Sequence, residues 1–401
     1  MTTTVYPDFA STEFVADPYR ALAQLRSKGP LLWHEPSGMW LATTHAAVSQ
    51  TLRNRKLGRI WTDGVPLEQM EPFNVLHRNQ MMENEPPVHT RLRRLVAGAF
   101  GRGHVERMRP RVEVLAKGLL DQLSGRVDIL AGYAEPLPVL VIADLLGVPG
   151  EDHILLRDWS QSIVHMYEQG ITDEVKAAAT TASVEFGDYV RTVVADRKRA
   201  VLAGRGGEDL ISDLIEARDG DGKLSDDELV ASVVLLLNAG HEASVNVFGN
   251  GIHALLSHPG QLARLTSGDV PVATALEELI RFDSPLQLFE RTATDSIELL
   301  GNTVKSGQKV ACLMGSANRD GEVFARADEF DVGRDPNPHL GFGIGVHFCL
   351  GAPLARMELE ITLRHLLERF PRLRLGSEAP RRPTWVLRGF EQIDVNLGDA
   401  T

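Results

Sequence analysis

The sequence is short of cysteine, of positive charge and of long uncharged apolar runs, and each shortage excludes a class of protein. Its two cysteines among 401 residues cannot form a disulfide framework, and they favour a reducing compartment, the cytoplasm. The formal net charge of −12 argues against a general nucleic-acid-binding protein. No apolar run approaches the length of a membrane span, so we expect no association with a membrane.

The N-terminus and the composition narrow the choice further. Residues 1–8, MTTTVYPD, contain neither a basic region nor an apolar stretch and do not resemble a signal peptide. Hydrophobic residues make up 43% of the chain and charged residues 24%, which is typical of a soluble globular enzyme. Because no repeat or linker divides the chain, we expect residues 1–401 to form one catalytic domain, with residues 1–16 as a loose N-terminal arm.

Hydrophobic periodicity and the positions of glycine and proline predict a mainly α (α+β) fold with small β-sheets. Helices are predicted at residues 17–28, 44–56, 88–99, 105–123, 132–146, 152–168, 173–203, 208–218 and 226–257. Strands are predicted as a hairpin within 31–43 and in two groups at 285–314 and 383–397. Residues 57–84 lack a clear period and are predicted to form a long irregular loop with a functional role.

Cys349 lies in a glycine-rich segment, FGIGVHFCLG, at residues 342–351. A helix is predicted directly after it, so the thiol meets the free amides and the positive dipole end of the first turn, and both favour a thiolate. The three glycines allow tight backbone conformations and a close approach to a flat partner. A thiolate presented in this way can be the axial ligand of haem iron.

Three other interpretations of Cys349 remain open from the residues alone. A zinc or iron–sulfur site needs several clustered ligands, and the other cysteine, Cys312, lies in an unrelated apolar segment. A nucleophilic cysteine would use His347, two residues earlier, as its base. A merely buried cysteine would leave the three glycines unexplained.

The predicted helix at 226–257 is long enough to cross a whole domain. Ser225 and Glu228 form a capping box at its start, and its first half is apolar nearly all round, so we expect it to be buried. The polar residues His241 and Glu242 in its middle need water, a ligand or each other as partners. Gly240 leaves room for a ligand, permits a kink, or makes a helix contact through small residues.

These motifs, in this order, resemble the cytochrome P450 superfamily, specifically its soluble bacterial members, from about residue 17 to residue 395. Residues 342–351 match the pattern Phe-Gly-x-Gly-x-His-x-Cys-x-Gly, Glu278 to Arg281 match Glu-x-x-Arg, and residues 239–244 match the oxygen-activation stretch of the long helix. The resemblance implies the P450 fold, with haem b between the long helix and the cysteine loop. It also implies that Cys349 is the axial ligand of the iron.

The resemblance implies roles for further residues. The expected haem contacts besides Cys349 are Phe342, Gly343 and Gly351, with His89, Arg93, Arg291 and His347 at the propionates. Glu278 and Arg281 are expected to brace the segment under the haem, with Arg334 as a third partner. The expected catalytic group comprises His241, Glu242, Ala243 and Ser244. The expected substrate contacts are Leu236, Ala239, Gly240, Ala243, Leu286, Leu288 and Val386. Arg59, His77 and Arg78 belong to a solvated loop or anchor an acid group.

Ala243 departs from the family pattern, in which a threonine follows the acidic residue and its hydroxyl helps to deliver protons. Ser244 is rotated by about 100° along the helix and is not expected to replace that hydroxyl. A substrate hydroxyl or an ordered water could complete the path, as in a minority of macrolide-oxidising relatives, and we favour this. A relay through His241 or Glu242, or an oxidation other than hydroxylation, stays open.

The implied activity is the insertion of one oxygen atom from O₂ into an apolar, medium-sized secondary metabolite such as a polyketide. Electrons would come from a ferredoxin and an NAD(P)H-dependent ferredoxin reductase, so we expect a basic docking face. Its expected residues are Arg91, Arg94, Arg102, Arg109 and Arg356. Two alternatives stay open. The first is another oxidation by the same kind of site, namely aryl coupling, decarboxylation or a peroxide-driven reaction, and the second is a non-catalytic haem sensor.

Overall fold

The structure is a computed structural model that describes residues 6–98, 102–168, 170–205, 207, 209–217 and 222–398, without the side chains of Arg102 and His104. The helices are α1 (Thr12–Ala16), α2 (Tyr19–Lys28), α3 (His45–Arg53), α4 (Leu67–Arg78), α5 (Val88–Ala97), α6 (Arg102–Leu120), α7 (Pro136–Leu146), α8 (His153–Val164), α9 (Asp173–Leu202), α10 (Leu210–Glu216), α11 (Asp226–Ser257), α12 (Pro259–Thr266), α13 (Val272–Phe282), α14 (Met314–Ala317) and α15 (Ala352–Arg369). Each helix predicted from the sequence is present, with ends that shift by a few residues.

The strands form three small sheets, as the sequence predicted for a mainly helical fold. They are β1 (Leu31–His34), β2 (Met39–Ala42), β3 (Leu57–Gly58), β4 (Arg126–Asp128), β5 (Leu288–Ala293), β6 (Ile297–Leu299), β7 (Asn302–Val304), β8 (Lys309–Leu313), β9 (Arg374–Leu375) and β10 (Asp394–Asn396). The largest sheet has the order β1-β2-β8-β5-β3, the second β4-β10-β9, and the third is β6-β7. The predicted hairpin is the antiparallel pair β1–β2, and β2 pairs in parallel with β8.

The long helix α11 has the predicted bounds and the predicted capping box. The Ser225 hydroxyl accepts from the Glu228 amide (3.2 Å), and the Glu228 carboxylate accepts from the Ser225 amide (2.9 Å). All residues of 229–237 are buried in the main core. By length and composition α11 could span a membrane, but 72% of its apolar window is buried inside the protein, as in a core helix.

Residues 57–84 do not form the long irregular loop that we predicted, because they contain the twelve-residue helix α4. Met70, Phe73 and Leu76 are buried along one side of this helix, so a helical period was present in the sequence. Pro72 lies inside the helix and concealed that period, since proline normally ends or kinks a helix.

The predicted loose arm is also wrong for its described part, residues 6–16. Ser11 caps α1 by accepting a hydrogen bond from the Phe14 amide (3.2 Å). Phe9 and Phe14 are buried, and their rings lie 5.1 and 5.0 Å from the ring of Trp385. Aromatic packing against the C-terminal part of the chain therefore orders this segment.

One buried carboxyl group of α15 leads to a prediction about pH. Burial raises the pKa of Glu358 from 4.5 to about 8. Because the folded-state pKa is the higher one, wild-type stability falls as pH rises from about 4.5 to about 8. We expect Glu358→Gln to remove this loss. Its free energy of unfolding should exceed that of wild type by up to about 3 kcal/mol at pH 7 and by little at pH 4.5.

Denaturant unfolding at several pH values measures this gain. Glu360→Gln, two residues away with a partly exposed side chain, is the control and should show no such pH-dependent gain. A difference between Glu358→Gln and wild type that does not change with pH would contradict the prediction.

Candidate active site

The segment that carries Cys349 is a tight loop before α15. The Cys349 amide donates to the Phe342 carbonyl oxygen (2.9 Å), which closes the loop. Gly343 and Gly345 have φ values of +67° and +85°, which favour glycine. A Cβ atom on Gly345 would lie 2.6 Å from the carbonyl oxygen of Leu52, so the backbone of α3 leaves no room for a side chain there.

The protein around Cys349 does not by itself favour the thiolate. Burial raises the pKa of the thiol, and the amides of Gly351 and Ala352 with the charges of Arg93 and Arg356 oppose this rise without cancelling it. The amides at the start of α15 do favour the thiolate, as expected, but desolvation of the buried thiol outweighs their effect. A coordinated metal cation deprotonates a thiol ligand outright, so iron itself would supply the missing stabilisation.

Midway along α11 the buried surface of the helix is interrupted. Ala239 is exposed and Ala243 is partly exposed, although both lie within a core helix. Leu236, Ala239 and Ala243 share one face, because they are spaced by three and four residues. Ala239 and Ala243 are therefore the accessible part of a face on which the sequence predicted contact with substrate.

The other expected substrate contacts are placed differently. The side chain that Gly240 lacks would lie 3.6 Å from Ile142 of α7, so this glycine lies against a neighbouring helix and opens no room for a ligand on the exposed face. Leu288 and Val386 are buried in the core cluster that includes the N-terminal aromatic residues, and Leu286 packs against it. These residues remain predictions as substrate contacts.

His241 lies on the other side of α11 from the exposed face. It is two residues from both Ala239 and Ala243, which is about 200° around a helix. Its ring is buried and has no hydrogen-bond partner within the part of the chain that the structure describes, and its electrostatic neighbours include Arg157 and Asp158 of α8. Burial lowers its pKa to about 4, so it is neutral at physiological pH. This placement argues against the expected place of His241 in the catalytic group.

The carboxylate of Glu242 is held by a residue from the C-terminal region. Its Oε1 atom pairs with Arg382 and lies 3.5 Å from the side-chain nitrogen of Asn246. Arg382 also lies 3.7 Å from Glu135, whose pKa is raised by burial. The second oxygen of Glu242 is buried without a partner among the described residues. Glu242 is therefore only partly available for moving protons.

The four expected propionate contacts form one cluster of basic side chains. The rings of His89 and His347 lie 4.4 Å apart, and neither ring nitrogen of the buried His89 has a hydrogen-bond partner among the described residues. Burial lowers the pKa of His89 to about 4, and the charges of His347, Arg93 and Arg291 add to this. His347 is 2.8 Å from Glu85. The cluster carries orphaned donors and positive charge that suit a bound dicarboxylate.

Glu278 and Arg281 form the expected ion pair on one face of α13. The Arg281 guanidinium donates to both carboxylate oxygens (2.7 and 2.8 Å), and both side chains are fully buried. Arg334 is the third partner, at 3.1 Å. The group joins α13 to the chain that leads to the Cys349 loop.

The expected docking arginines are less free than the sequence suggested. The ion pairs are Arg91–Glu228, Arg109–Glu106, Arg109–Glu360 and Arg356–Glu277. The side chain of Arg102 lies outside the described residues. Much of the positive charge on this face is therefore compensated locally.

Arg59, His77 and Arg78 are neither a solvated loop nor free anchors for an acid group. Arg59 pairs with Glu83, and His77 of α4 is buried with its Nε2 atom 3.1 Å from the Tyr167 hydroxyl. Arg78 pairs with carboxylates at 2.6 and 2.8 Å. Their charges and donors are used inside the protein.

Sequence reasoning missed three acid–base partners that belong to the site: Glu85, Glu277 and Arg382. Glu85 had a local signal, since it precedes Pro86-Pro87 at the start of a basic helix. Glu277 stands beside Glu278, but only Glu278 belongs to the Glu-x-x-Arg motif, so Glu277 was not considered. Arg382 had no signal, because 140 positions separate it from Glu242.

Comparison with known proteins identifies the family and the fold. The sequence profile described as Cytochrome P450 matches residues 161–267 and 270–388. The chain is 37% identical to cytochrome P450 monooxygenase PikC of Streptomyces venezuelae, over 96% of this chain and 92% of that protein. It is 34% identical to polyketide biosynthesis cytochrome P450 PksS of Bacillus subtilis, over 96% and 97%. The chain belongs to the cytochrome P450 family.

A solved structure agrees with this assignment. P450BioI in complex with hexadec-9Z-enoic acid ligated acyl carrier protein has a TM-score of 0.91 and 32% sequence identity, covering 96% of this chain and 99% of that one. The protein is therefore an oxidoreductase that incorporates oxygen, and it requires haem, a substrate, O₂ and redox partners. The nucleophilic cysteine and the non-catalytic haem sensor are set aside, and the described residues contain no group of three or more residues suited to a zinc site.

The residues present fit a haem group. The buried ring of His89, which has no hydrogen-bond partner among the described residues, lies beside Arg93, Arg291 and His347, and this cluster would hold the two propionates. Cys349 would offer its sulfur to the iron. When bound, haem supplies an iron centre for oxygen activation. The cluster would orient the group, and Ala239 and Ala243 of α11 would face the substrate.

Proposed function

We propose that this chain is a cytoplasmic, haem b-dependent monooxygenase that acts as one catalytic domain and hydroxylates a medium-sized apolar metabolite, such as a polyketide. The observation that carries the proposal is the solvent-accessible apolar stretch of α11 formed by Ala239 and Ala243, next to the buried Leu236. Such a lining binds apolar carbon skeletons and offers few anchors for charge. The ion pairs of Arg59 and Arg78 leave these cations poorly placed to select an acid.

A compound screen tests the substrate class. Macrolactone-sized polyketides should shift the haem spectrum as they displace water from the iron, whereas free fatty acids and steroids should bind more weakly. The relative PksS is named for polyketide biosynthesis, which supports this order. Tight binding by fatty acids or steroids alone would contradict the polyketide assignment.

We further propose that a substrate hydroxyl or an ordered water completes the proton path at Ala243. Ser244 is rotated away from the position of Ala243, and the Glu242 carboxylate is engaged by Arg382. Removing the relevant hydroxyl from the substrate should therefore divert reducing equivalents to hydrogen peroxide. The ratio of product to NAD(P)H consumed measures this coupling.

Ala243→Thr should restore most of the lost coupling with the deoxygenated substrate, since it places a hydroxyl on the protein. Ala239→Thr is the matched control, because it adds the same group one turn earlier on the same face. Coupling that does not depend on the substrate hydroxyl but is lost in Glu242→Gln would contradict this proposal and indicate a proton relay through Glu242.

Electrons should arrive from a ferredoxin and its NAD(P)H-dependent reductase. Because Arg91, Arg109 and Arg356 are in ion pairs, the docking face retains only part of its positive charge. We expect reduction by ferredoxin to slow as salt rises, with a shallow slope. Stopped-flow reduction measures this, and reduction by dithionite is the control for effects on the haem itself. A rate that does not depend on salt would contradict the docking assignment.

Ala243 also keeps a second candidate open, a P450 oxidation other than hydroxylation, such as aryl coupling, decarboxylation or a peroxide-driven reaction. Product mass separates hydroxylation from aryl coupling and decarboxylation, which add no oxygen atom to the substrate, and turnover with hydrogen peroxide in place of O₂ and NAD(P)H identifies a peroxide-driven reaction.

A further inference from the structure

Glu277 connects both sides of the Cys349 loop through one carboxylate. Arg356 of α15 donates to its two oxygens from Nε (2.6 Å) and Nη2 (2.8 Å), in a bidentate arrangement. His339, which precedes the loop, lies 2.8 Å away through its Nε2 atom. The Nδ1 atom of His339 accepts from the Gly341 amide (3.0 Å), so Nε2 carries the proton and donates to Glu277.

The contacts continue from Arg356 to the cysteine. The guanidinium carbon of Arg356 lies 4.5 Å from the ring centroid of Phe342. The carbonyl oxygen of Phe342 accepts the Cys349 amide (2.9 Å), and the charge of Arg356 acts on the Cys349 sulfur. Burial raises the pKa of Glu277, but the hydrogen bonds from Arg356 and His339 hold it at about 2, so the carboxylate stays charged at physiological pH.

We propose that Glu277 is a positioning residue for the Cys349 ligand. It holds Arg356 flat against Phe342, which fixes the loop and places a partly neutralised cation beside the sulfur. Arg356 then acts on the iron ligand, in addition to any part in docking. This inference depends on Cys349 as the haem ligand and is independent of the substrate.

The competing explanation is an ordinary surface ion pair, and the same helix offers a matched control. Arg364 of α15 pairs with Glu113 at 2.7 Å, and their side chains are 38% and 29% exposed. Arg356 and Glu277 are 37% and 26% exposed. Among the described residues, the contacts of the control pair do not reach the Cys349 loop, so this pair reports what such an ion pair does to stability alone.

Glu277→Gln and Glu113→Gln holoproteins should therefore differ at the haem while losing similar thermal stability. In Glu277→Gln the long-wavelength Soret band of the ferrous carbon-monoxide complex, which reports thiolate ligation, should decay about fivefold faster than in wild type. Its reduction potential should become more positive, because the unneutralised Arg356 stabilises the more negative reduced site. Glu113→Gln should match wild type in both measurements.

Equal decay and equal potential in the two variants would overturn the proposal. If Glu277→Gln does not take up haem, Arg356→Lys provides the measurement, since it keeps the charge but loses the planar fork and the stacking. Faster decay of its Soret band supports the proposal, and decay at the wild-type rate overturns it.

Discussion

Glu278→Ala is expected to cost about 3–5 kcal/mol of folding free energy, because it leaves two arginines buried without a counter-charge. Arg281 and Arg334 both donate to the Glu278 carboxylate, and the Arg281 and Glu278 side chains are 0% exposed. The carboxylate also accepts the Asp331 amide (2.8 Å) and the Asn337 side-chain nitrogen (3.1 Å). Glutamine is expected to be milder, since it keeps two acceptor sites on its carbonyl oxygen.

Denaturant unfolding at matched haem content measures this cost. Glu329→Ala is the control, because Glu329 and Arg326 form a pair of the same spacing at 3.3 Å with both side chains more than half exposed. We expect the control to change stability by less than about 1 kcal/mol. A Glu278→Ala protein as stable as that control would show that the buried pair is not what braces this segment.

Gly345→Ala is expected to lower stability by about 4 kcal/mol and to weaken haem retention. Two costs combine here: backbone strain at φ +85°, and a clash of the new Cβ with the Leu52 carbonyl at 2.6 Å. Backbone cannot rotate away as a flexible side chain can, so the loop or α3 must move. Displacement of the loop also displaces Cys349.

Gly307→Ala isolates the strain from the clash. Gly307 has φ +82°, and a Cβ atom there would have no neighbour within 4 Å. It should cost only about 1–3 kcal/mol and leave the haem spectrum unchanged. If Gly345→Ala and Gly307→Ala are equally destabilised and equally able to hold haem, the close approach of α3 is not what requires glycine at position 345.

Some of the site was readable from sequence because its signals are local. The three-residue spacing of Glu278 and Arg281 places them on one helical face, and the capping box of Ser225 and Glu228 starts α11 where predicted. The period of α4 was also local, yet Pro72 hid it. Local patterns therefore succeed where no single residue contradicts them.

Placement within the site was harder to read, because it depends on which neighbours a helix meets. His241 and Glu242 are adjacent in sequence, but one faces α8 and the other meets Arg382. Gly240 was expected to open room for a ligand, yet it lies against Ile142. The motif identified the segment, while packing against α7 and α8 decided which side chains reach the exposed face.

The sequence by itself determined the family, the helices with clear periods and the position of the Cys349 loop. These follow from residue order and from spacings within one or two helical turns. Only the tertiary structure decided that Arg382 holds Glu242, that Glu277 links His339 to Arg356, and that α3 excludes a side chain at Gly345. Each of those contacts joins segments far apart in the chain, so it depends on how the whole core packs rather than on any local pattern.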